Sequence, residues 1–394
     1  MVVPAERRTA EQGIAERPAR KGGSLRILVT VPWGERLGGA EAMLQSALEG
    51  APQAGHEMEL VFFQDGPWPQ ELREAGSRVY VIDTGRLRQL DRFVVSVARL
   101  RRLLIARAPD LLLNWSAKTH LYGAPAAMLA GMGDRVVWWQ QVIPTGFWLD
   151  RAATALPARA VCCYSRAAAE AQARLSPART IRVVAAGAPV PDADTGRPPL
   201  ELPADVPIVG LVGRLQPWKG QDRLLRAQAL LRERGLHIHT VIVGGDSYER
   251  SPEYAASLPG LVEELGLGDA VTMTGQVPDA GPYIKQLDIL VNASDPEPFG
   301  IVLLEGMARG VAVMAVDSGG PGEFVEAGVT GMLARSGAPE DLADALAPLL
   351  ASRELRAAIG SAGRERFMQQ YTDVALQRRF FETLESLARS RAAR

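Results

Sequence analysis

The stretch 295-DPEPFGIVLLEGMARG-310 sets one glutamate, Glu297, in a Pro-rich loop and a second, Glu305, inside the aliphatic run that follows, with seven residues between them. The run before it, 287-LDILVNAS-294, is short and apolar and predicts a buried parallel strand. Two prolines then mark a turn, and a helix is expected from about Gly300 to Arg309. The first free N–H groups of that helix, at Gly300, Ile301 and Val302, would form an anion site beyond the end of the strand. Glu297 precedes the helix start, and Glu305 lies about a turn and a half inside it. Fixed carboxylates accept strong charge-assisted hydrogen bonds from hydroxyls. The spacing therefore suits a nucleotide that carries a second polyol, with its diphosphate over the helix start. The competing reading is that Glu is a good helix former and that one of the two simply faces water.

Outward from this segment, short β-rich runs alternate with helical patterns along most of the chain. Strands are expected at 26–31, 57–64, 78–83, 110–115, 135–140, 160–165 and 180–186, and again at 208–213, 238–245, 270–275, 287–294 and 311–317. Helices are expected at 40–51, 91–108, 120–131, 221–234, 253–266, 300–309 and 340–351. Such alternation predicts doubly wound parallel sheets. A stretch crowded with Pro, Asp and Gly, 189-PVPDADTGRPPLELPADVP-207, interrupts it and reads as a linker. The expected division is a disordered tail at 1–24, a first α/β domain at 25–188, the linker at 189–207 and a second α/β domain at 208–363. The end, 364–394, reads as one long amphipathic helix that packs back across the first domain. A chain of 394 residues is long for one core, which agrees with two domains. Ligands of open parallel sheets bind beyond the carboxyl ends of the strands, so the chemistry is sought in the loops there.

One such loop, 213-GRLQPWKG-220, follows the first strand of the second domain and offers Gly213, Arg214 and Lys219 just before a helix start. Two cations in that setting suit a diphosphate, although either alone reads as solvated surface charge. Net charge of −1 gives no general attraction to nucleic acid. No apolar run approaches the roughly 18 residues of a membrane span, and residues 1–24 lack the apolar core of a signal peptide. A cytoplasmic protein is expected, with the adjacent Cys162 and Cys163 as small buried hydrophobes. No Cys/His cluster suggests zinc, and no G-x-G-x-x-G supports a nicotinamide or flavin enzyme. The D-x-D at 192–194 falls in the linker and is not read as a metal site. The segment 86–107 is basic, with Leu90, Phe93, Val94, Val97, Leu100 and Leu104 read as its core face. Its arginines are read as a solvated face, or as a patch for anionic lipid if an acceptor is membrane-bound.

The segment from Glu297 to Glu305 resembles the E-x7-E signature of the GT4 family of retaining glycosyltransferases with the GT-B fold. Three further blocks resemble that family in its own order: 37-LGGAEAMLQSAL-48, 213-GRLQPWKGQDRLLRA-227 and 316-VDSGGPGEFVEAGVTGML-333. The resemblance implies two Rossmann-like domains facing each other across a cleft, and transfer of a hexosyl unit from a nucleoside diphosphate sugar, UDP-sugar favoured, to an acceptor hydroxyl. It implies that Arg214 and Lys219 hold the donor diphosphate and that Glu305 binds the ribose. Glu297 would contact the transferred sugar, with the backbone from Phe299 through Gly300 and Ile301 to Val302 around sugar and phosphate. Gly213 and Val277 would line the donor site, and Gly38 and Gly39 would close on it from the first domain. No metal and no cofactor beyond the donor is implied. A disaccharide phosphorylase or synthase, or a non-catalytic sugar-nucleotide-binding subunit, are the rival readings.

The sequence departs from the family in the first domain. Histidines that many relatives carry near the strand ends are replaced by Asn114, Trp115, Gln140 and Gln141. His120 is the nearest substitute, expected in the first turn of a helix entering the cleft, where it would contact the donor sugar or simply sit half-exposed. Trp138 is read as core, and Trp139, Phe147 and Trp148 either as core or as a platform for an acceptor.

Overall fold

The computed structural model describes residues 23–36, 38–85, 88–192, 199–246 and 251–392. The expected tail, apart from its last residues, and Ala193 and Asp194 of the D-x-D lie outside the described residues.

The first sheet consists of β1 (Arg26–Val31), β2 (Glu57–Phe62), β3 (Val79–Val81), β4 (Leu111–Asn114), β5 (Val136–Gln140), β6 (Ala160–Cys163) and β7 (Ile181–Val183). All its pairings are parallel, in the order β3-β2-β1-β4-β5-β6-β7. Between the strands run α1 (Gly39–Gly50), α2 (Pro67–Glu74), α3 (Leu90–Arg107), α4 (Ala117–Leu129), α5 (Trp148–Ala155) and α6 (Arg166–Leu175). The second sheet consists of β8 (Ile208–Val212), β9 (His239–Val243), β10 (Val271–Met273), β11 (Ile289–Asn292), β12 (Ala312–Val316) and β13 (Met332–Ala334). It is also parallel throughout, in the order β10-β9-β8-β11-β12-β13. Its helices are α7 (Gln221–Glu233), α8 (Pro252–Glu264), α9 (Gly281–Ile284), α10 (Ile301–Ala308) and α11 (Pro339–Ala351), followed by α12 (Arg353–Gln370) and α13 (Asp373–Ala392).

In each sheet the strand order reverses beside the first strand, at β1/β4 and at β8/β11. That crevice is where doubly wound folds hold ligands. The central strands are covered on both faces, and so β1, β4, β11 and β12 are buried end to end. β13 was not expected from the sequence. Three residues at a sheet edge carry too little pattern to separate from the loop around them.

The C-terminal helical pattern is two helices rather than one. The break falls at Tyr371 and Thr372, where the Thr372 hydroxyl accepts the Ala375 N–H at 3.2 Å and starts α13 as its cap. Ala188, just beyond β7, is stitched into the break: its N–H donates to Tyr371 O at 2.9 Å, and its carbonyl accepts Asp373 N–H at 2.8 Å. α13 then lies against α1, with Gln377 Nε2 donating to Ser46 O at 2.9 Å and Glu385 meeting His56 at 3.1 Å. Phe380 stacks beside Trp139, with ring centroids 5.1 Å apart.

α3 presents a different face to the core from the one expected. Phe93, Val97, Leu100 and Leu104 pack inward, but Leu90 and Val94 stand 74% and 64% exposed. The inward face is centred on Ser96, Val97, Leu100 and Leu104, which turns the helix's first apolar residues past the rim of the sheet.

Candidate functional site

The loops leaving β8 and β11 meet at the crevice of the second sheet. Asp295 N–H donates to Trp218 O at 3.2 Å, which ties the two loops together. Lys219 reaches across and its Nζ donates to Glu297 Oε2 at 2.8 Å. The same ammonium lies 4.0 Å above the Trp218 ring, and Asn292 Nδ2 approaches Glu297 Oε2 at 3.3 Å. Burial alone would raise the Glu297 carboxyl. The Lys219 charge and these hydrogen bonds outweigh it, and its pKa falls below the usual carboxylate value. Glu297 is thus a fixed carboxylate that stays ionised at neutral pH. Its backbone is held as firmly as its side chain: Glu297 N–H donates to Ser318 O at 3.0 Å, and its carbonyl accepts Gly320 N–H at 2.8 Å.

Gly213 follows β8 directly, and Arg214 follows Gly213. The Arg214 backbone carbonyl accepts from Gln221 Nε2 at 2.8 Å, whereas its half-buried guanidinium has no hydrogen bond or ion pair among the described residues. A cation left free beside a neutralised one is what an anion site offers.

α10 starts where Gly300 takes a left-handed conformation at φ +95°, a turn that costs glycine least. Phe299 is buried and stacks on Phe324 at 4.9 Å, so its ring belongs to the core. Ile301 and Val302 begin the helix and are half-buried. Glu305 lies on the same helix with no hydrogen bond to its carboxylate among the described residues. Burial pushes its pKa up to about 7, Arg309 opposing and Asp279 reinforcing the shift. Asp279 belongs to the loop that follows β10 and carries Val277, so that loop borders Glu305.

The first domain faces this group through the start of α1. A Cβ placed on Gly39 would come within 2.7 Å of Ile301 Cδ1. Gly39 therefore meets the start of α10, and a larger residue there would require the Ile301 side chain to shift. Across the same gap Glu323 Oε1 accepts Ala167 N–H at 3.0 Å, at the first turn of α6. Lys219 and Glu297 thus meet directly, Gly213 and Arg214 lie on the loop that carries Lys219, Phe299 to Val302 and Glu305 lie on the helix start that follows Glu297, and Gly39 meets Ile301 from the first domain.

His120 does not join them. The Ser116 side chain caps α4 by accepting Thr119 N–H at 3.1 Å, and this sets His120 on the inward face of the first turn. The ring is 0% exposed, lies flat on Trp138 at 4.9 Å, and is 3.2 Å from the Asn114 amide. Burial, with Arg179 nearby, lowers its pKa to about 3, so it stays neutral. The expected donor contact is corrected to a core position. Trp139 is likewise fully buried, beneath α13, and is not part of a platform. Phe147 and Trp148 do stand exposed, at the start of α5. Trp115 fills the end of β4 and donates its Nε1–H to Ala40 O at 3.3 Å.

Sequence reasoning missed Asn292, Trp218 and the Ser318–Gly320 backbone. Asn292 carried a signal, as the one polar residue of the strand ILVN. Trp218 was adjacent to Lys219, but nothing in the sequence showed it would lie beneath the ammonium. Among the described residues no group of His, Cys, Asp and Glu is arranged to hold a metal ion, and no helix is long and apolar enough to cross a membrane.

Comparison with known proteins agrees with this geometry. Residues 192–366 match the model for "Glycosyl transferases group 1", and residues 38–193 match the "Glycosyl transferase 4-like domain". The chain is 31% identical over 190 residues to the lipopolysaccharide core biosynthesis glycosyltransferase LpsE of Rhizobium meliloti, covering 48% of this chain and 53% of that protein. It is 38% identical over 168 residues to a GDP-mannose-dependent α-(1-6)-phosphatidylinositol monomannoside mannosyltransferase of Mycobacterium tuberculosis, covering 40% and 42%. The matched part thus spans about half, or less, of these relatives' length. Among solved structures, Anabaena HepE in complex with UDP-glucose superposes with a TM-score of 0.78 at 25% identity, covering 92% of this chain and 100% of that one. With two family models that together run from residue 38 to 366 and a GT-B neighbour along nearly its whole length, the chain belongs to the GT4-type glycosyltransferases.

Proposed function

We propose that the protein is a retaining glycosyltransferase that moves a hexosyl unit from a nucleoside diphosphate sugar, UDP-sugar first, to an acceptor hydroxyl. The observation that carries the reading is the buried Lys219–Glu297 pair just ahead of α10, with Arg214 on the same loop as Lys219 and its guanidinium without a protein partner among the described residues. Two cations and the helix N–H groups suit a diphosphate. Glu297 and Glu305 on either side suit the hydroxyls of the sugar and the ribose.

In this reading the bond from the sugar C1 to the β-phosphate oxygen breaks, and its electron pair stays on the phosphate. Arg214 and Lys219 stabilise that charge. The acceptor oxygen forms the new bond on the same face of C1, and its proton passes to a phosphate oxygen. Glu297 is held ionised and is a poor proton donor. Its part is to orient a sugar hydroxyl and to keep Lys219 in place. No step of this scheme uses a metal ion.

The test is thermal unfolding with UDP, GDP, ADP and TDP, each with and without EDTA, followed by donor turnover with candidate acceptors. A ligand that binds only the native state raises the melting temperature by mass action. One nucleotide should stabilise regardless of EDTA, and the product anomer should match the donor. Stabilisation without any turnover or donor hydrolysis would favour a sugar-nucleotide-binding subunit, a reading that Trp115 at the end of β4 supports. No stabilisation at all would sink the site assignment.

A further inference from the structure

Glu297 owes its place to the segment that follows β12. Its N–H donates to Ser318 O and its carbonyl accepts Gly320 N–H, so residues 318–320 run beside it as a short parallel bridge. The approach is close enough to call for both glycines. A Cβ on Gly319 would collide with Glu297 O, and one on Gly320 would come within 2.6 Å of Phe299 Cα. The next turn, Pro321–Glu323, is pinned at both ends. Glu323 N–H donates to Gly320 O at 3.0 Å, and Phe324 is buried against Phe299. A shift of Glu323 is therefore passed to the segment from Glu297 to Phe299, because packed backbone of this kind transmits displacement.

From this turn the Glu323 side chain crosses to the first domain. Oε1 accepts Ala167 N–H at 3.0 Å, and Oε2 lies 3.8 Å from Arg166 Nε. Ser165 caps α6 by accepting Ala168 N–H at 3.2 Å, and Glu323 takes another of the donors that the first turn leaves unpaired. The helix dipole favours a carboxylate there, in addition to the charge-assisted bond itself. Ile143, in the loop after β5, meets the same segment: its Cδ1 lies 3.1 Å from a Cβ placed on Gly319. The first domain thus touches, at two points, the backbone that holds Glu297.

We propose that Glu323 is a positioning residue that clasps the second domain to the start of α6 and so couples closure of the cleft to the placement of the Glu297 carboxylate. The Glu323 side chain is 20% exposed, so water can satisfy both partners when the domains part, and the clasp is reversible. Arg166 adds little to it, since its side chain is 75% exposed. The effect on turnover rests on the transferase reading, whereas the effect on the shape of the molecule does not.

The experiment compares wild type with Glu323→Ala and Glu323→Gln in small-angle scattering of the ligand-free chain, in the nucleotide-induced melting shift and in steady-state donor turnover. Glu323→Ala should enlarge the radius of gyration, because the closed form loses a bond that the open form lacks. Its nucleotide-induced shift should match wild type, since Arg214 and Lys219 both lie on the second domain. Turnover should divide, with kcat falling about tenfold while the donor KM moves less than about threefold. Glu323→Gln keeps an oxygen for Ala167 N–H and should recover most of kcat and the compact form. Unchanged scattering and kcat in Glu323→Ala would overturn the proposal. So would a lowered melting temperature with the nucleotide shift lost, which marks a turn that only supports the fold. A wild type that turns over no donor, but whose scattering still responds to Glu323→Ala, would count against the transferase reading alone.

Discussion

The two sheets have the same strand order around their switch points, yet they use those points differently. At β8/β11 the strand ends carry a buried ion pair, a free guanidinium and a carboxylate of raised pKa. At β1/β4 the strand ends carry packing: Thr30 bonds the Asn114 amide oxygen at 2.8 Å, His120 lies neutral on Trp138, and Trp115 and Trp139 pair at 5.0 Å. Identical topology therefore does not imply shared chemistry. The second domain keeps ionisable groups in tension at its crevice, and the first fills the equivalent volume with aromatic rings. In the function proposed above, the second domain would bind the donor and the first would contribute shape and closure.

Substitutions can break this contrast, and the largest effect is expected at Lys219. Lys219→Ala removes a phosphate cation and leaves Glu297 buried without its partner, which should cost about 3–5 kcal/mol of stability. The nucleotide-induced melting shift should vanish with it. Lys219→Arg, which keeps the charge, should recover more stability than binding. Trp139→Ala should cost a similar 3–5 kcal/mol in denaturant unfolding, but the folded fraction should bind nucleotide as before. If its affinity falls more than about tenfold, 1.4 kcal/mol, the first domain is not merely packing. Arg214→Ala should leave the melting temperature unchanged, because the guanidinium holds no protein group, while nucleotide affinity in calorimetry falls by about 10–100-fold.

Glu305 yields a pH test. Its native pKa of about 7 lies above the ordinary 4.5, so the protonated form is the one folding favours. The stability it contributes is full below about pH 4.5 and is lost as pH rises through about 7. Binding runs the other way, since only the carboxylate accepts hydrogen bonds on both oxygens from a diol. Nucleotide affinity should rise with pH across that window, and Glu305→Gln should flatten both profiles. The smallest effect is expected at His120, where His120→Gln should change turnover less than about threefold with some loss of stability. A large loss of turnover at an unchanged melting temperature would return the residue to the site.

The second domain was the more legible half. Its signals are local: apolar strand, glycine-containing loop, cation, helix start, each fixed within a few residues. The E-x7-E spacing and the loop around Lys219 sit on adjacent strand ends because the switch point brings β8 and β11 together. What escaped depended on distant partners. Trp139 is inside because α13 returns over it, and α13 starts where Thr372 caps it within a continuous helical pattern. His120 points inward because Ser116 fixes the phase of α4, and one residue's difference would have turned it outward. Leu90 and Val94 followed the apolar period of α3 but lie beyond the sheet that the rest of the helix covers.

The bonding of Ala188 into the break before α13 bears on how the polypeptide can be divided. The chain passes between the two halves once after β7 and again between α12 and α13, and the two passages are hydrogen-bonded to each other. Phe380, Phe381, Leu384 and Leu387, all buried, belong to the interior of the half that was built first in sequence. A cut in the segment after Ala188 would therefore not release two complete folding units. The first fragment would lack one of its own helices, and the second would carry it away as an apolar tail. The two pieces should instead reassemble with each other as a nicked whole.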